Sequence, residues 1–268
     1  MAPVRPMPVA LTIAGSDCSA GAGLQADLKT FGALGVFGLT AVTCVVAEVP
    51  GKVSLIEPVA VANVQEQLEL LLAHFPVAAI KTGLLLSPAI VQVVATVLEE
   101  SGRKIPLVID PVMVATSGDV LLQPAAVEAY RSRLFPRATV VTPNMAEAAA
   151  LAGRPVRDLD GMRLAGRELV EKFGVPFLLK GGHLPGDRAT DLLVVGERIT
   201  EFSAPLVSGV STHGTGCTYS AAIAARLAHD DDLEEAIAAA KEYVSHCISR
   251  HLIWRSASGE IHALNHQL

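Results

Sequence analysis

Short aliphatic runs alternate with segments of helical periodicity along most of this chain, and this alternation is the feature that most constrains its fold. The predicted strands are Val9–Ala14, Leu39–Val46, Val77–Thr82, Leu107–Asp110, Thr139–Thr142 and Phe177–Lys180. The predicted helices are Gly23–Leu34, Val61–Ala73, Pro88–Ser101, Ala125–Leu134, Met145–Leu151 and Met162–Phe173. Such alternation predicts an α/β fold, in which a mostly parallel sheet has helices on both faces and binds ligands at the carboxyl ends of its strands.

The alternation changes after the sixth predicted strand. Asp191–Val195 and Arg198–Phe202 indicate a hairpin that turns at Gly196-Glu197 and adds an antiparallel edge to the sheet. Two helices follow, Cys217–Ala228 and a second that runs from Leu233 to about 254. The second helix carries an apolar stripe typical of core packing. We therefore predict one domain that spans residues 1–268.

Composition narrows the classes of ligand that this chain can bind. Hydrophobic residues make up 51% of the 268 residues, but only 4% are aromatic, so the core must be aliphatic, as in buried parallel sheets. The formal net charge of -6 gives no electrostatic reason to bind nucleic acid or an anionic membrane. No stretch approaches the roughly 20 apolar residues needed to span a bilayer. A small-molecule partner is therefore predicted.

The cysteines and the first residues bear on the cellular compartment. Cys18, Cys44, Cys217 and Cys247 lack C-x-x-C spacing and stand far apart, which argues against a structural zinc site or a dense disulfide framework. Residues 1–8 lack the apolar run of a signal peptide. The sequence predicts free thiols and a cytoplasmic protein.

The segment Ser211–Thr218 places two glycines and a cysteine directly before a long apolar helix. In that position the backbone N–H groups of Gly214, Gly216 and Cys217 would point outward at the positive helix end, which is a preformed anion site. The same field lowers a thiol pKa, so Cys217 is a candidate thiolate beside the bound anion. The alternative is a glycine-bearing turn followed by a structural cysteine, and the local sequence weights the two equally.

Polar features also follow the first two predicted strands. The small-residue loop Gly15–Gly23 allows close approach of the backbone to a ligand, and Asp27 lies one turn into the next helix. Glu48 ends the second strand. Its carboxylate either accepts hydrogen bonds from an amino-bearing ligand in a pocket or caps a turn before Pro50-Gly51. The residues alone do not decide between these two roles.

Further oxygen donors and a lysine stand at the ends of later strands. Asn144 and Glu147 have the spacing of a capping box, but together with Asp110 they also form a donor set suited to hydrated Mg²⁺. Lys180 precedes two glycines and is either a polyphosphate contact or a surface lysine. No G-x-x-x-x-G-K-[ST] sequence occurs, so phosphate chemistry would have to use the loop before Cys217.

Seven motifs occur along the chain in a fixed order. They are Leu11–Asp17, Gly23–Thr30, Asp110–Met113, Thr142–Asn144, Glu147-Ala148, Lys180–His183 and Thr212–Thr218. In these motifs the chain resembles the hydroxymethylpyrimidine and hydroxymethylpyrimidine-phosphate kinases of thiamine biosynthesis, within the ribokinase-like superfamily. Several long motifs in the right order are far more specific than any one of them alone.

The resemblance implies a ribokinase-like three-layer sandwich. It implies ATP-dependent phosphorylation of the hydroxymethyl group of 4-amino-5-hydroxymethyl-2-methylpyrimidine, and then of the monophosphate so formed. ATP, Mg²⁺ and a homodimeric assembly are implied on the same ground.

The family pattern also implies a role for each matching residue. Cys217 matches the base near the substrate alcohol, with Gly214, Thr215 and Gly216 in the loop that binds the transferring phosphate. The implied substrate-binding residues are Gly15, Asp27, Glu48, Leu84 and Val112. The implied nucleotide-binding residues are Asn144, Lys180, Thr212 and Gly214, and the implied metal-binding residues are Asp110 and Glu147.

Three alternative functions remain. One is a non-catalytic nucleotide- or pyrimidine-binding regulator that keeps the fold but has lost turnover. A pyridoxal kinase of the same superfamily shares the fold, the loop and the cysteine, and Glu48 discriminates because pyridoxal lacks an exocyclic amine. A thiol hydrolase, with Cys217 as nucleophile and His213 as base, accounts for one loop but for neither Lys180 nor the carboxylates. The chain also departs from the family pattern at Leu84, where a methionine is frequent.

Overall fold

The computed structural model describes residues 6–113, 124–182, 184–210, 213–256 and 259–267. The strands are β1 (Val9–Asp17), β2 (Phe37–Val49), β3 (Lys52–Pro58), β4 (Val77–Thr82), β5 (Leu107–Ile109), β6 (Val140–Val141), β7 (Phe177–Leu179), β8 (Arg188–Val195), β9 (Arg198–Pro205), β10 (Leu252–Ser256) and β11 (Gly259–Ala263). The α-helices are α1 (Gly23–Ala33), α2 (Val61–His74), α3 (Pro88–Glu100), α4 (Pro124–Ala129), α5 (Met145–Ala152), α6 (Leu159–Phe173), α7 (Thr215–Ala228) and α8 (Leu233–Ser249), and a π-helix (Tyr130–Leu134) and a 3-10 helix (Phe135–Arg137) follow α4. Among the described residues, no helix is both long and apolar enough to cross a membrane.

Nine strands form one sheet, in the order β3-β2-β1-β4-β5-β6-β7-β8-β9. Pairing is parallel from β2 to β7, whereas β3, β8 and β9 are antiparallel to their neighbours. The predicted mostly parallel sheet with the antiparallel hairpin β8–β9 at its edge is therefore confirmed. Since β1 lies between β2 and β4, the chain passes from one half of the sheet to the other at β1, where a crevice is expected at the carboxyl end.

Successive strand residues face opposite helix layers. In β1, Leu11 packs in the core shared with α2 to α6, whereas its neighbour Ala10 packs in the core shared with α1, α7 and α8. In β7, Leu179 and Leu178 divide in the same way. Strands that are buried on both faces explain the near-continuous aliphatic runs in the sequence. The fold is the three-layer sandwich implied by the resemblance.

Two hairpins depart from the predicted elements. The strand β3 was not predicted, and it returns antiparallel to β2 after a turn at Gly51, whose φ is 82°. The hairpin β10–β11 forms a separate two-stranded sheet, so α8 ends at Ser249 and not near 254. Leu252 continues the apolar spacing of α8, but it pairs with Ala263 across the hairpin. Strand pairing distant in sequence overrides the local helical pattern there.

Candidate active site

A small cavity of about 60 Å³ lies where the carboxyl ends of β1, β2 and β4 meet the first turn of α7. The residues that line it are Ala14, Gly15, Asp17, Gly23, Val46, Glu48, Lys81, Gly83, Leu84, Val112 and Cys217. The structure therefore brings together Cys217 and four of the residues predicted to bind substrate, Gly15, Glu48, Leu84 and Val112. A wider surface depression lies at the amino ends of the strands, beside the start of β5. Position at the carboxyl ends favours the cavity as the functional site.

Asp17, at the end of β1, organises the loop that follows it. Its carboxylate accepts hydrogen bonds from the backbone N–H groups of Ser19 at 2.7 Å, Gly21 at 3.0 Å and Ala22 at 2.8 Å. Burial opposes ionisation, but a hydrogen bond from His213 and those of this turn outweigh it and lower the pKa of Asp17 to about 2. The first loop is thus a turn built around a carboxylate.

His213 joins this turn to the loop before α7. Its Nε2 lies 3.1 Å from Oδ2 of Asp17. Burial opposes a charge on the ring, but the hydrogen bond and charge of Asp17 outweigh it and raise the pKa of His213. One ligand-type atom each of Asp17, Glu48 and His213 lies within 4.8 Å of the others. The Asp17–His213 pair therefore holds the first loop against the loop before α7.

Glu48 lies near the end of β2 and is half-buried in the cavity wall. Cys18 holds its backbone: the N–H of Glu48 donates to Sγ of Cys18 at 3.3 Å, and the thiol donates to the carbonyl oxygen of Glu48 at 3.2 Å. Burial and the negative charge of Asp17 raise the pKa of the Glu48 carboxyl. Of the two roles left open by the sequence, the pocket position is the one observed.

The glycine loop reaches α7 through Gly214. This residue is the N-cap of α7, with a left-handed φ of 82°, and the helix begins at Thr215, two residues earlier than predicted. A Cβ atom at Gly214 would lie 1.8 Å from the carbonyl oxygen of Gly21, so only glycine lets the two loops pack together. The first turn of α7, where the anion site is predicted, therefore lies beside the cavity. Thr212, predicted to bind nucleotide, lies outside the described residues.

Cys217 lies in the first turn of α7 and lines the cavity. The helix field predicted a lowered thiol pKa, and this prediction is wrong. Burial raises the pKa of Cys217 to about 11, with the Lys81 cation opposing it and the carboxylates of Asp27 and Asp110 adding to it. Cys217 is therefore protonated at neutral pH.

A second charged group lies against the first turn of α7. Nζ of Lys180 donates to Oδ1 of Asp110 at 2.8 Å, and the hydroxyl of Ser220 lies 3.3 Å from Oδ2 of the same carboxylate, to which it donates. A Cβ atom at Gly216 would lie 3.2 Å from Nζ of Lys180 and 3.6 Å from Oδ2 of Asp110. Lys180 is thus not an exposed surface lysine, and it lies with Asp110 beside the glycine loop.

Asn144 and Glu147 form a complete capping box at the start of α5. The N–H of Glu147 donates to Oδ1 of Asn144 at 2.9 Å, and the N–H of Asn144 donates to Oε2 of Glu147 at 2.8 Å. The N–H of Met113 lies 3.4 Å from Oε1 of Glu147, to which it donates. Burial raises the pKa of Glu147 to about 7, with Lys180 opposing and Asp110 adding to the shift. The predicted capping role is confirmed.

Asp27 and Lys81 form an ion pair in which neither side chain has exposed surface. Nζ of Lys81 lies 3.0 and 2.8 Å from the two carboxylate oxygens of Asp27, and the hydroxyl of Thr12 donates to the second of these oxygens at 2.5 Å. Lys81 is the member of the pair that lines the cavity, and Asp27 is not among the lining residues. Asp27, implied by the resemblance to bind substrate, is thus not one of the residues that line the cavity.

Two charged residues of this site, Asp17 and Lys81, were not predicted as site residues from the sequence. His213 was predicted only as the base of the thiol-hydrolase alternative. Lys81 carried a usable signal, because it interrupts a strand that is otherwise apolar and a buried lysine requires a carboxylate partner. Asp17 and His213 belong to quoted motifs, but only the tertiary structure places them 3.1 Å apart across 196 residues of chain.

The chain is similar in sequence to known kinases over most of its length. The sequence model of the phosphomethylpyrimidine kinase family matches residues 17–262. A hydroxymethylpyrimidine/phosphomethylpyrimidine kinase of Rhizobium meliloti is 43% identical over 242 residues, which cover 90% of each chain.

Solved structures of kinases superpose on this fold. A pyridoxal kinase of Bacillus subtilis in an ADP complex superposes with a TM-score of 0.87 at 35% identity, covering 97% of this chain and 98% of that chain. A phosphomethylpyrimidine kinase of Clostridium difficile superposes with a TM-score of 0.78 at 36% identity, covering 89% and 98%. The fold, the site and these matches define a kinase. The chain belongs to the phosphomethylpyrimidine kinase family.

Proposed function

We propose that this protein uses ATP to phosphorylate 4-amino-5-hydroxymethyl-2-methylpyrimidine and then its monophosphate, a step of thiamine biosynthesis. One observation carries the proposal: a single cavity contains both a carboxylate suited to an aminopyrimidine, Glu48, and a thiol at a glycine-capped helix N-terminus, Cys217. The family match supports the same reaction.

The substrate end of the cavity suits a flat, amino-bearing ring. Leu84 and Val112 supply apolar surface. Gly15 also lines the cavity, and a Cβ atom there would lie 2.7 Å from Sγ of Cys44, so this position has no room for a side chain. Glu48 accepts hydrogen bonds from the exocyclic amine. Such bonds are strong because the acceptor is a charged carboxylate. Asp27 does not line the cavity, but it binds and holds Lys81, which does.

The phosphate end is formed by the first turn of α7 and by Lys180. The backbone N–H groups of Gly214, Thr215 and Gly216 supply donors to a transferring phosphate. Lys180 supplies a positive charge at 3.2 Å from the position of a Cβ on Gly216. Asn144 and Thr212 are assigned to the nucleotide by the family pattern.

Mg²⁺ is assigned to the buried carboxylates of Asp110 and Glu147. Their oxygens are the donor type that Mg²⁺ prefers, and they lie on the Lys180 side of the glycine loop. When bound, Mg²⁺ neutralises charge on the phosphates. The residues themselves hold the site in place, because Ser220 donates to Asp110 and the α5 capping box holds Glu147.

Transfer in this site depends on position more than on acid–base strength. Glu48 and the apolar wall orient the substrate so that its alcohol lies near Cys217, and the α7 turn and Lys180 hold the phosphate chain in line. The proton of the alcohol leaves late in such a reaction, and the Cys217 thiolate accepts it. At pH 8 a thiol with a pKa of about 11 is ionised to about one part in a thousand, so this form must be stabilised during turnover.

ADP release tests the proposal directly. The purified protein with ATP and Mg²⁺ is expected to release ADP when hydroxymethylpyrimidine or its monophosphate is added, and much more slowly with pyridoxal or pyridoxine. Release that depends on neither pyrimidine contradicts the proposal. Preference for pyridoxal supports the second candidate, which the superposition on the pyridoxal kinase favours.

Substitution Glu48→Gln separates the two candidates at one residue. We expect kcat/KM for hydroxymethylpyrimidine to fall roughly tenfold or more, with a much smaller change for pyridoxal, because only the pyrimidine carries the exocyclic amine. Glu57→Gln, on the exposed face of β3, is the matched control and is expected to change neither. Equal losses on both substrates from Glu48→Gln contradict the assignment of Glu48.

A cytoplasmic homodimer remains the assembly and location that we propose. The assembly has support in apolar side chains exposed on the hairpin β2–β3, where Val45, Val49 and Leu55 are 52, 53 and 62% exposed. A face of this kind is typical of protein contacts. Light scattering of the purified protein measures the assembly, and a monomeric mass contradicts it.

A further inference from the structure

Cys217 poses a chemical problem within the proposed reaction. Its sulfur must carry negative charge when it accepts a proton from the substrate alcohol, yet burial and two carboxylates, Asp27 and Asp110, disfavour that charge. A positive group near the sulfur would resolve the conflict. The Lys81 ammonium lies in the wall of the same cavity.

The geometry directs the charge of Lys81 toward the cavity. The two carboxylate oxygens of Asp27 accept hydrogen bonds from the Lys81 ammonium at 3.0 and 2.8 Å. The Thr12 hydroxyl donates to Asp27 and holds this carboxylate in place. On the cavity side, a Cβ atom on Gly83 would lie 2.9 Å from Nζ of Lys81, and Gly83 is itself a lining residue. The positive end of the ion pair therefore points toward the cavity and the negative end away from it.

We infer that Lys81 is a positioning residue for phosphoryl transfer, whose fixed ammonium stabilises negative charge on Sγ of Cys217. The inference rests on the proposed function for its role in turnover. In the transfer step the O–H bond of the alcohol breaks and its proton passes to the Cys217 thiolate. The oxygen bonds to the γ-phosphorus of ATP, and the bond from that phosphorus to the β,γ-bridging oxygen breaks to release ADP.

The charges around this thiol agree with the geometry. Burial opposes the charge on Lys81, but Asp27 outweighs it and keeps the Lys81 pKa above its ordinary value, with Cys217 and Asp110 contributing. Lys81 is thus a permanent cation at physiological pH. Its charge lowers the pKa of Cys217, against the carboxylates.

Alkylation of Cys217 by iodoacetamide tests the inference without measuring activity. The reagent is neutral, and below the thiol pKa its rate is proportional to the thiolate fraction, so a rise of one pKa unit slows it tenfold. Peptide mass spectrometry follows Cys217 separately from the other thiols. In Lys81→Met we expect about tenfold slower alkylation at pH 8, whereas a merely structural role would open the wall and speed it.

A second variant guards against misfolding, because Lys81→Met leaves a buried carboxylate unpaired. Lys81→Met/Asp27→Asn removes both charges and keeps the volume, and we expect a smaller slowing in the same direction. The matched control is Lys241→Met/Asp191→Asn, another buried pair, at 2.6 Å, which is expected to leave Cys217 alkylation unchanged. Unchanged or faster alkylation in folded Lys81 variants overturns the inference.

Kinetics complete the test. In Lys81→Met we expect kcat to fall tenfold or more, while KM for ATP stays within about threefold of the wild-type value, since Lys81 lines the cavity and Lys180 is not among its lining residues. If the wild-type protein releases no ADP with any pyrimidine, the proposed function fails. The alkylation result still decides whether Lys81 controls the charge of Cys217.

Discussion

Cys217→Ala is expected to lower turnover by roughly a hundredfold or more, with KM for ATP nearly unchanged. A positioned proton acceptor contributes about 10²- to 10⁴-fold to a reaction of this type. The backbone N–H groups of α7 that hold the phosphate do not depend on the Cys217 side chain, so nucleotide binding is retained. Steady-state ADP release with hydroxymethylpyrimidine, at varied ATP, measures both quantities.

The matched control for the loss of a thiol is Cys247→Ala. Cys247 is buried in α8, in the core shared with α7, and does not line the cavity. This variant is expected to keep wild-type turnover at temperatures where it stays folded. Wild-type turnover in Cys217→Ala contradicts the assignment of Cys217 as the proton acceptor and removes the role that we infer for Lys81.

Gly214→Ala is the second substitution with a large expected effect. A Cβ atom would meet the carbonyl oxygen of Gly21 at 1.8 Å, and backbone atoms cannot move aside as a flexible side chain can. The left-handed φ of 82° adds strain of about 1–2 kcal/mol. We expect the first loop and the α7 turn to separate, with ADP release lost more than a hundredfold and a clear drop in Tm.

Gly174→Ala isolates the contact from the strain. Gly174 is the C-cap of α6, with a φ of 69°, and apart from its own chain neighbours no atom of the described residues lies within 4 Å of the position of its Cβ. It therefore carries similar conformational strain without a collision. We expect a small drop in Tm and wild-type turnover. Equal effects of Gly174→Ala and Gly214→Ala on Tm, with ADP release retained in both, contradict the role assigned to the contact with Gly21.

Most of the fold was predictable from the sequence because its strands are buried on both faces. Continuous aliphatic runs such as β4, and helices with apolar stripes such as α6, carry strong local signals. The hairpins β2–β3 and β10–β11 carry weaker local sequence signals. The strand β3 is largely exposed and β10 continues the apolar spacing of α8, so only strand pairing distinguishes them from loop and helix.

Site residues were predictable from the sequence where a recognisable motif lies at the end of a predicted strand. Glu48, Leu84 and Val112 meet Cys217 in one cavity, as expected of the carboxyl edge of a parallel sheet. The capping box of Asn144 and Glu147 follows from local spacing alone. The charge state of Cys217 was predicted wrongly, because local sequence contains the helix field but not the burial of the thiol.

The sequence by itself determined the alternation of strands and helices, the glycine loop before α7 and the family motifs. These features depend on residues close together in the chain, whose spacing sets periodicity, capping and backbone freedom. The tertiary structure decided which charges meet: Asp17 with His213, Lys81 with Asp27, and Lys180 with Asp110. Such pairs join distant segments, and their strength depends on burial, which only the packed fold establishes.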